Sequence, residues 1–245
     1  MKAFLVELGI QFRIDFREKG VLLTFYIVPL LFFVVMGYVF ATINPEAKVT
    51  LAASMAIFAS TMGAILGIPG PLVKMKESGV LRAYRVSGIP GWSILLVQGI
   101  SSFLHLLIVS IIILITAPLL FGAQIPVNLF GYALVLAVLL FANISLGLFI
   151  GTISKSQSAA TMLGQIIFLP SLMLGGIMFP ASMLPGPLRL AGKAFPATNA
   201  MQSFIQLAYG MDGNSDPYQA VCIILLIGSA AIGITAWKFF SNTKY

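Results

Sequence analysis

Very few residues of this chain are of the types that carry out acid–base, nucleophilic or metal chemistry. Its 245 residues include one histidine, His105, one cysteine, Cys222, and seven acidic residues. A metal centre needs several His, Cys, Asp or Glu ligands close together, and acid–base catalysis needs titratable groups at the reacting atoms. Apart from Asp216 at the first position of the last run, no acidic residue lies in any of the long apolar runs described below. The sequence therefore predicts no metal site, no cofactor and no catalytic cluster in this chain.

His105 stands inside the third apolar run and has two interpretations. An ionisable group within a membrane often marks a proton or substrate site. The alternative is a neutral imidazole that is hydrogen-bonded within a helix bundle or near an interface. Because no predicted span supplies a carboxylate partner, we favour the neutral imidazole.

The sequence lacks a nucleotide-binding loop. Such a loop needs the pattern G-x-x-x-x-G-K-[ST], whose backbone amides and lysine hold the phosphates. The nearest match is Gly192-Lys193, but it is followed by Ala194 and has Pro187 in place of the first glycine. We therefore predict that the chain is not an enzyme and has no ATPase motif of its own.

Segment 74–90, which reads KMKESGVLRAYRVSGIP, is the most distinctive polar part of the chain. Val80 and Tyr84 form one i, i+4 pair, and Leu81 and Arg85 form another, as on a short amphipathic helix. Glycines and a proline then end the pattern. Such a helix can bind in the groove of a cytoplasmic partner, or the segment can be a basic loop held by anionic lipid. The loop alone does not decide between these two hypotheses.

Most of the remaining sequence consists of apolar runs that are long enough to cross a bilayer. The chain is 59% hydrophobic and 9% charged, whereas soluble domains are about 25% charged. A transmembrane helix needs about 20 apolar residues, and backbone in lipid must hydrogen-bond internally. We predict an all-α integral membrane protein, a single domain over 1–245, with six transmembrane helices near 21–43, 49–73, 92–121, 127–153, 160–179 and 216–237. The cluster GIPGP at 67–71 is expected to break or kink the second span.

Two segments outside these runs also have helical patterns. In segment 1–20 an apolar row at i, i+4 spacing, formed by Phe4, Leu8, Phe12 and Phe16, predicts an interfacial helix on the inner leaflet. The segment between 180 and 216 contains four prolines and an apolar stretch at 200–209 that is too short to cross. It predicts short re-entrant or interfacial helices before the last span.

The distribution of positive charge predicts the orientation. Eleven of the fourteen Lys and Arg residues fall in the terminal segments and in the loops after spans two and four. The positive-inside rule then places both termini and the 74–91 loop in the cytoplasm of a multi-pass cell-membrane protein. The net charge of +7 is explained by lipid headgroups, so no nucleic-acid partner is predicted.

Polar and methionine side chains within the spans allow a hypothesis about a substrate path. Uncharged polar residues can contact cargo or form hydrogen bonds between helices, and methionine can adapt to varied apolar ligands or simply fill the core. Two G-x-x-x-G matches, at 63–67 and 147–151, permit close helix contact. The candidate path residues are Met55, Phe58, Met62, Asn143, Gln165 and Met173.

Two stretches resemble the type-2 ABC exporter permeases. KESGVLR at 76–82, followed by RVSGI at 85–89, resembles that family's cytoplasmic loop, where a charged-Glu-x-Gly-x-Leu pattern precedes a Ser/Thr-Pro turn. GGIMFP at 175–180 and FPATNA at 195–200 resemble the region after the family's fifth span. One departure is Gly88, which stands where proline is common, with Pro90 two residues later. With the six spans and the N-terminal helix, the resemblance covers nearly the whole chain.

The resemblance implies a permease subunit of an ABC exporter that forms the substrate pathway with a second permease copy, as a homodimer or a heterodimer. A separate ABC ATPase subunit would bind ATP and Mg²⁺ and dock beneath the chain. The loop at 74–91 would be the coupling element. The expected coupling residues are Glu77, Gly79, Leu81, Arg82, Tyr84 and Arg85.

Three other functions compete with this one. An ATP-independent secondary transporter or channel is disfavoured by the lack of acidic residues inside the spans. An intramembrane enzyme would need a polar catalytic cluster, for which one histidine is thin support. A membrane scaffold predicts that loss of the chain changes no transport.

Overall fold

The computed structural model describes residues 2–42, 45–80, 86, 91–178, 184–213 and 216–241. Within these ranges all regular elements are helical, and six helices are long and apolar enough to cross a membrane. The predicted all-α membrane fold with six spans is therefore confirmed. Spans 1 to 6 are Lys19–Thr42, Leu51–Glu77, Trp92–Phe121, Leu129–Ile153, Gln157–Leu174 and Pro217–Phe239.

Shorter helices lie outside these spans. The N-terminal helix, Lys2–Arg17, packs against span 3. A short helix at Pro45–Val49 connects spans 1 and 2. Before span 6 the chain forms Gly186–Gly192 and then Pro196–Ser203, which packs among spans 2, 4 and 6. These are the elements predicted for 1–20 and for the broken segment, and both are in contact with the helix bundle.

Span 2 is longer at its C-terminal end than the predicted limit of residue 73. It consists of an α-helix over Leu51–Met62, a π-helical turn over Gly63–Gly67 and a second α-helix over Pro69–Glu77. Pro69 opens this second helix, and the first N–H groups of a helix have no partner within it in any case. The expected break at the GIPGP cluster is therefore present, and the helix restarts after it.

The π-helical turn of span 2 faces another in span 1. The turn in span 1 covers Leu23–Ile27, and its Phe25 ring lies against Gly63 and Gly67, where a Cβ atom would come within 3.0 Å and 2.9 Å of ring carbons. A π turn holds one residue more than an α turn and widens the helix locally. The two irregular turns are thus packed together through one aromatic ring.

Span 2 forms the centre of the bundle. In its most apolar stretch 89% of residues are buried, whereas the corresponding share is 22% to 33% in spans 1, 3, 5 and 6. Its side chains are often small, as at Ala52, Ala56 and Ala59, all fully buried. Small residues let neighbouring helices approach closely, which is how packing is gained inside lipid.

Span 4 approaches span 2 most closely at its G-x-x-x-G motif. A Cβ atom at Gly147 would clash with the carbonyl oxygen of Ala64, and one at Gly151 would come within 2.8 Å of Leu72 Cδ2. Glycine is required at 147 because the neighbouring backbone leaves no room for a side chain, and at Gly151 the nearest backbone atom, Pro69 Cα, would lie 3.1 Å from a Cβ atom. Spans 2 and 4 are therefore in backbone contact along two turns.

Candidate coupling site at the C-terminal end of span 2

The C-terminal end of span 2 stops at a glycine. The Ser78 amide donates to the Lys74 carbonyl at 2.9 Å, and Gly79 follows with a φ of +74°. Glycine adopts this left-handed conformation without the steric cost that other residues meet, and it commonly ends helices in this way. Gly79 therefore sets the direction in which the chain leaves span 2.

The structure places two of the six expected coupling residues. Glu77 is exposed on the last turn of span 2, and Gly79 is exposed immediately beyond it. The other four lie outside the described residues: Leu81, Arg82, Tyr84 and Arg85. Their roles stay a prediction.

Lys76 connects span 2 to span 4, which the sequence did not predict. Its Nζ donates to the carbonyl oxygens of Gly151 and Thr152, both at 2.6 Å. These carbonyls belong to the last turn of span 4, where backbone oxygens lack helical partners and the helix dipole is negative. The half-buried lysine therefore supplies hydrogen-bond donors from span 2 to the last carbonyl groups of span 4.

A second, exposed ion pair links span 2 to the start of span 1. Lys74 Nζ lies 3.2 Å from Glu18 Oε1, and their side chains are 64% and 34% exposed. An exposed pair of this kind contributes about 1 kcal/mol at most. A cavity of about 210 Å³ adjoins it. Its polar lining is formed by Glu18, Thr24, Lys74 and Gln157.

The candidate substrate-path residues are not brought together on one surface. Met55, Phe58 and Asn143 are buried inside the bundle, Met62 is half-buried, and Gln165 and Met173 are exposed on span 5. Hydropathy locates residues along a span but does not define which face they occupy. The substrate path therefore stays a prediction. Its two residues on span 5 lie on an exposed face, away from the residues that are buried inside the bundle.

Asn143 has a structural partner in span 2. Its Nδ2 donates to Ser60 Oγ at 3.3 Å and to Thr61 Oγ1 at 3.2 Å. This is the hydrogen bonding between helices that was the alternative to a substrate contact.

His105 has a carboxylate neighbour that the apolar runs did not predict. Its Nε2 lies 3.7 Å from Asp15 Oδ2, and its Nδ1 lies 2.6 Å from the Tyr26 hydroxyl. Asp15 belongs to the N-terminal helix, so a search for acidic residues within the spans could not find it. The packing of this helix on span 3 is what brings the two groups together.

Several known proteins are similar to this chain in sequence. The family model described as ABC-2 type transporter matches residues 3–209. The inner membrane transport permease YhhJ of Escherichia coli K12 is 26% identical over 73% of this chain and 48% of its own length. The probable multidrug ABC transporter permease YbhS of the same strain is 25% identical over 80% of this chain and 52% of its own.

A eukaryotic relative is also similar. ABC transporter G family member 20 of Dictyostelium discoideum is 27% identical over 80% of this chain and 26% of its own length. The chain spans about half the length of the two bacterial relatives. Because the family match runs from the N-terminal helix through span 5 and the short helices after it, the chain belongs to the ABC-2 type transporter family.

Proposed function

We propose that this chain is the membrane-spanning permease subunit of an ATP-binding cassette exporter and forms part of its substrate pathway. Membership of the ABC-2 type family and similarity to two named permeases support this function. The sequence has no phosphate-binding loop, so a separate ABC ATPase subunit would hold ATP and Mg²⁺. The chain would lie in the cell membrane with both termini in the cytoplasm.

One observation carries the coupling part of this proposal. Span 2 is the most buried span, it leads through Gly79 directly into the 80–90 segment, and Lys76 joins its last turn to the end of span 4. A force applied to that segment by a docked ATPase would therefore act on two spans at once.

Span 5 supports a second permease copy. It has the lowest mean hydropathy of the six spans, 1.3, yet only 22% of its most apolar stretch is buried. Its outward face includes the exposed amide of Gln165, and a polar group that faces hydrocarbon without a hydrogen-bond partner is costly. A second copy, or cargo passing between two copies, would cover this face. Gln165 and Met173 would then contact the pathway.

The first experiment tests the need for a partner ATPase. The chain, co-expressed with an ABC ATPase subunit from its genomic neighbourhood, should co-purify with it and accumulate hydrophobic fluorescent dyes in inside-out vesicles only when ATP is present. Dyes are a suitable probe because YbhS is named as a probable multidrug permease. Uphill dye transport by the purified chain alone would reject this function in favour of an ATP-independent secondary transporter or channel.

The second experiment tests the 74–91 loop. The double substitution Gly79→Asp with Leu81→Asp should lower ATP-driven transport by about tenfold or more. It removes together the glycine that ends span 2 and an apolar side chain of the proposed docking segment, and each loss should cost at least about 1 kcal/mol. Lys155→Asp, an exposed change in the loop after span 4, is the matched control and should transport normally. Equal transport by the double variant and the control would discredit the coupling role.

A further inference from the structure

The N-terminal helix turns one of its apolar rows towards the bundle. Phe12 stacks on His105 of span 3 with ring centroids 4.2 Å apart, and the Phe16 ring lies 5.5 Å from that of Tyr26 in span 1. Both phenylalanines belong to the row at 4, 8, 12 and 16 from which an interfacial helix is predicted. In the second half of the helix this row therefore packs on protein, and other residues form the side that faces outward.

The acidic side chains near the end of this helix are also turned away from its outward side. Asp15 is 2% exposed, and its Oδ2 accepts a hydrogen bond from the Ser101 hydroxyl of span 3 at 2.6 Å. Glu18, the residue after the helix, is paired with Lys74 of span 2 at 3.2 Å. Both carboxylates are thus engaged by spans 2 and 3, and the outward side keeps its positive charge.

The outward side of the helix combines apolar and basic side chains. Its apolar members follow i, i+4 spacing, and about half or more of each side chain is exposed: Val6, Ile10 and Ile14. Its basic members are the exposed Arg13 and Arg17. At about 100° per residue, these five positions fall within one arc of about 100° around the helix axis. We call this arc the outer face of the N-terminal helix.

The two arginines of the outer face are neighbours of like charge. They stand four residues apart, a spacing at which like charges repel each other on a helix surface and destabilise it. Among the described residues, neither arginine forms an ion pair. A phosphate group between them would remove the repulsion, and a guanidinium can bind two phosphate oxygens through parallel hydrogen bonds. The basic part of the outer face is thus complementary to an anion.

The place of this helix in the fold favours lipid as the source of that anion. Arg17 ends the helix, and Lys19 begins span 1 two residues later, so the basic residues stand where a span enters the bilayer and lipid phosphates lie. The apolar row beside them is an exposed patch of the kind that marks a contact surface. An interfacial helix buries such a row between headgroups and acyl chains, and arginine stems reach from there to the phosphates.

We propose that the outer face is a binding site for anionic phospholipids. Arg13 and Arg17 hold the phosphate groups, and Ile10 and Ile14 insert among the acyl chains. A zwitterionic lipid offers the same phosphate, but its own ammonium group competes with the arginines, so a lipid of net negative charge binds more tightly. The helix is then held from two sides, by the bundle and by the leaflet. This binding belongs to the chain itself and stands whether or not the chain exports a cargo.

Fluorescence quenching by lipids with brominated acyl chains tests the site locally. A fluorophore attached at Gly9→Cys, where an added Cβ atom meets nothing within 4 Å, reports the lipids beside the outer face once the exposed Cys222 is replaced by serine. The full-length protein is placed in phosphatidylcholine bilayers with increasing shares of brominated phosphatidylglycerol or brominated phosphatidylcholine. The anionic quencher should reach half of its effect at about a tenfold lower share, because each arginine contributes about fivefold to binding an anionic surface.

Substitution of the two arginines separates this site from general attraction between the protein and lipid. Arg13→Gln with Arg17→Gln should make the two lipids quench equally. The matched control is Arg189→Gln with Lys193→Gln, which removes two exposed positive charges, also four residues apart, from the segment between spans 5 and 6. The control should keep the wild-type difference between the lipids. A difference that persists without the arginines, or that the control loses as well, would overturn the proposal.

The apolar row is tested in the same bilayers. Ile10→Gln with Ile14→Gln should weaken quenching by both lipids, because the helix then no longer inserts among the acyl chains. Three results with the otherwise wild-type labelled protein would also overturn the proposal. These are equal quenching by the two lipids, no quenching by either, and quenching that disappears when a partner ATPase subunit is added, which would make that subunit the occupant of the outer face.

Discussion

Replacing Gly147 with valine should prevent the chain from folding stably in the membrane. The new Cβ atom would clash with the carbonyl oxygen of Ala64 and come within 3.2 Å of Ile68 Cβ. The first of these is a backbone atom of span 2, so no side-chain rotation can relieve the contact. Overpacking costs about 1 to 3 kcal/mol even where side chains can adjust, and here spans 2 and 4 must separate. The yield of monodisperse protein in mild detergent, and its thermal unfolding, measure the effect.

Gly233→Val is the control for this prediction. Gly233 lies in span 6, and a Cβ atom there meets no atom within 4 Å. Both variants carry the same change in intrinsic helix propensity, so any difference between them reports the contact with span 2. A Gly147→Val protein as abundant and as heat-resistant as the control would show that spans 2 and 4 are further apart than described.

Replacing Lys76 with methionine should uncouple ATP hydrolysis from transport. Methionine keeps an unbranched apolar stem but donates no hydrogen bonds, so the carbonyls of Gly151 and Thr152 lose their donor. Hydrogen bonds from a charged group contribute about 1.5 to 3 kcal/mol, which corresponds to about tenfold or more in a coupled equilibrium. We expect ATP-driven dye accumulation to fall by about that factor while binding to the ATPase subunit persists.

Two variants separate this effect from general loss of charge or of folding. Lys74→Met removes a neighbouring lysine whose partner is the exposed Glu18, and it should transport almost normally because surface pairs contribute little. Lys76→Arg retains donors and should recover part of the transport. Normal transport by Lys76→Met would show that the end of span 4 is not driven through this contact.

Hydropathy was sufficient to predict the fold of this protein. Long apolar runs must become helices in lipid, so the six spans and their order follow from the pattern of hydropathy along the chain. The break expected at GIPGP is present as a π turn, but span 2 continues to Glu77, four residues past the predicted limit of 73, and span 5 ends at Leu174, five residues before the predicted limit of 179. Proline often ends a helix. Here Pro69 occupies the first turn of a restarted helix after a π turn, which is a local arrangement that proline tolerates.

The site was less predictable because its contacts join distant parts of the chain. Lys76 meets Gly151, 75 residues away, and Asp15 meets Ser101, 86 residues away. Neither pair has a local pattern that marks it. Gly79 was identified through the resemblance of its loop to a family, and its positive φ gives a physical reason for glycine there. The facing direction of Gln165 depends on the packing of span 5, which hydropathy does not encode.

The π turn of span 2 has a mechanical consequence. It stands between the segment Leu51–Met62, which is buried except at Met62, and the segment Pro69–Glu77 that carries Lys76. Expelling its surplus residue would rotate one segment relative to the other by about 100° and shift it by about 1.5 Å along the axis. A change of helical register at this one turn would therefore rotate Pro69–Glu77 about its own axis while Leu51–Met62 keeps its packing.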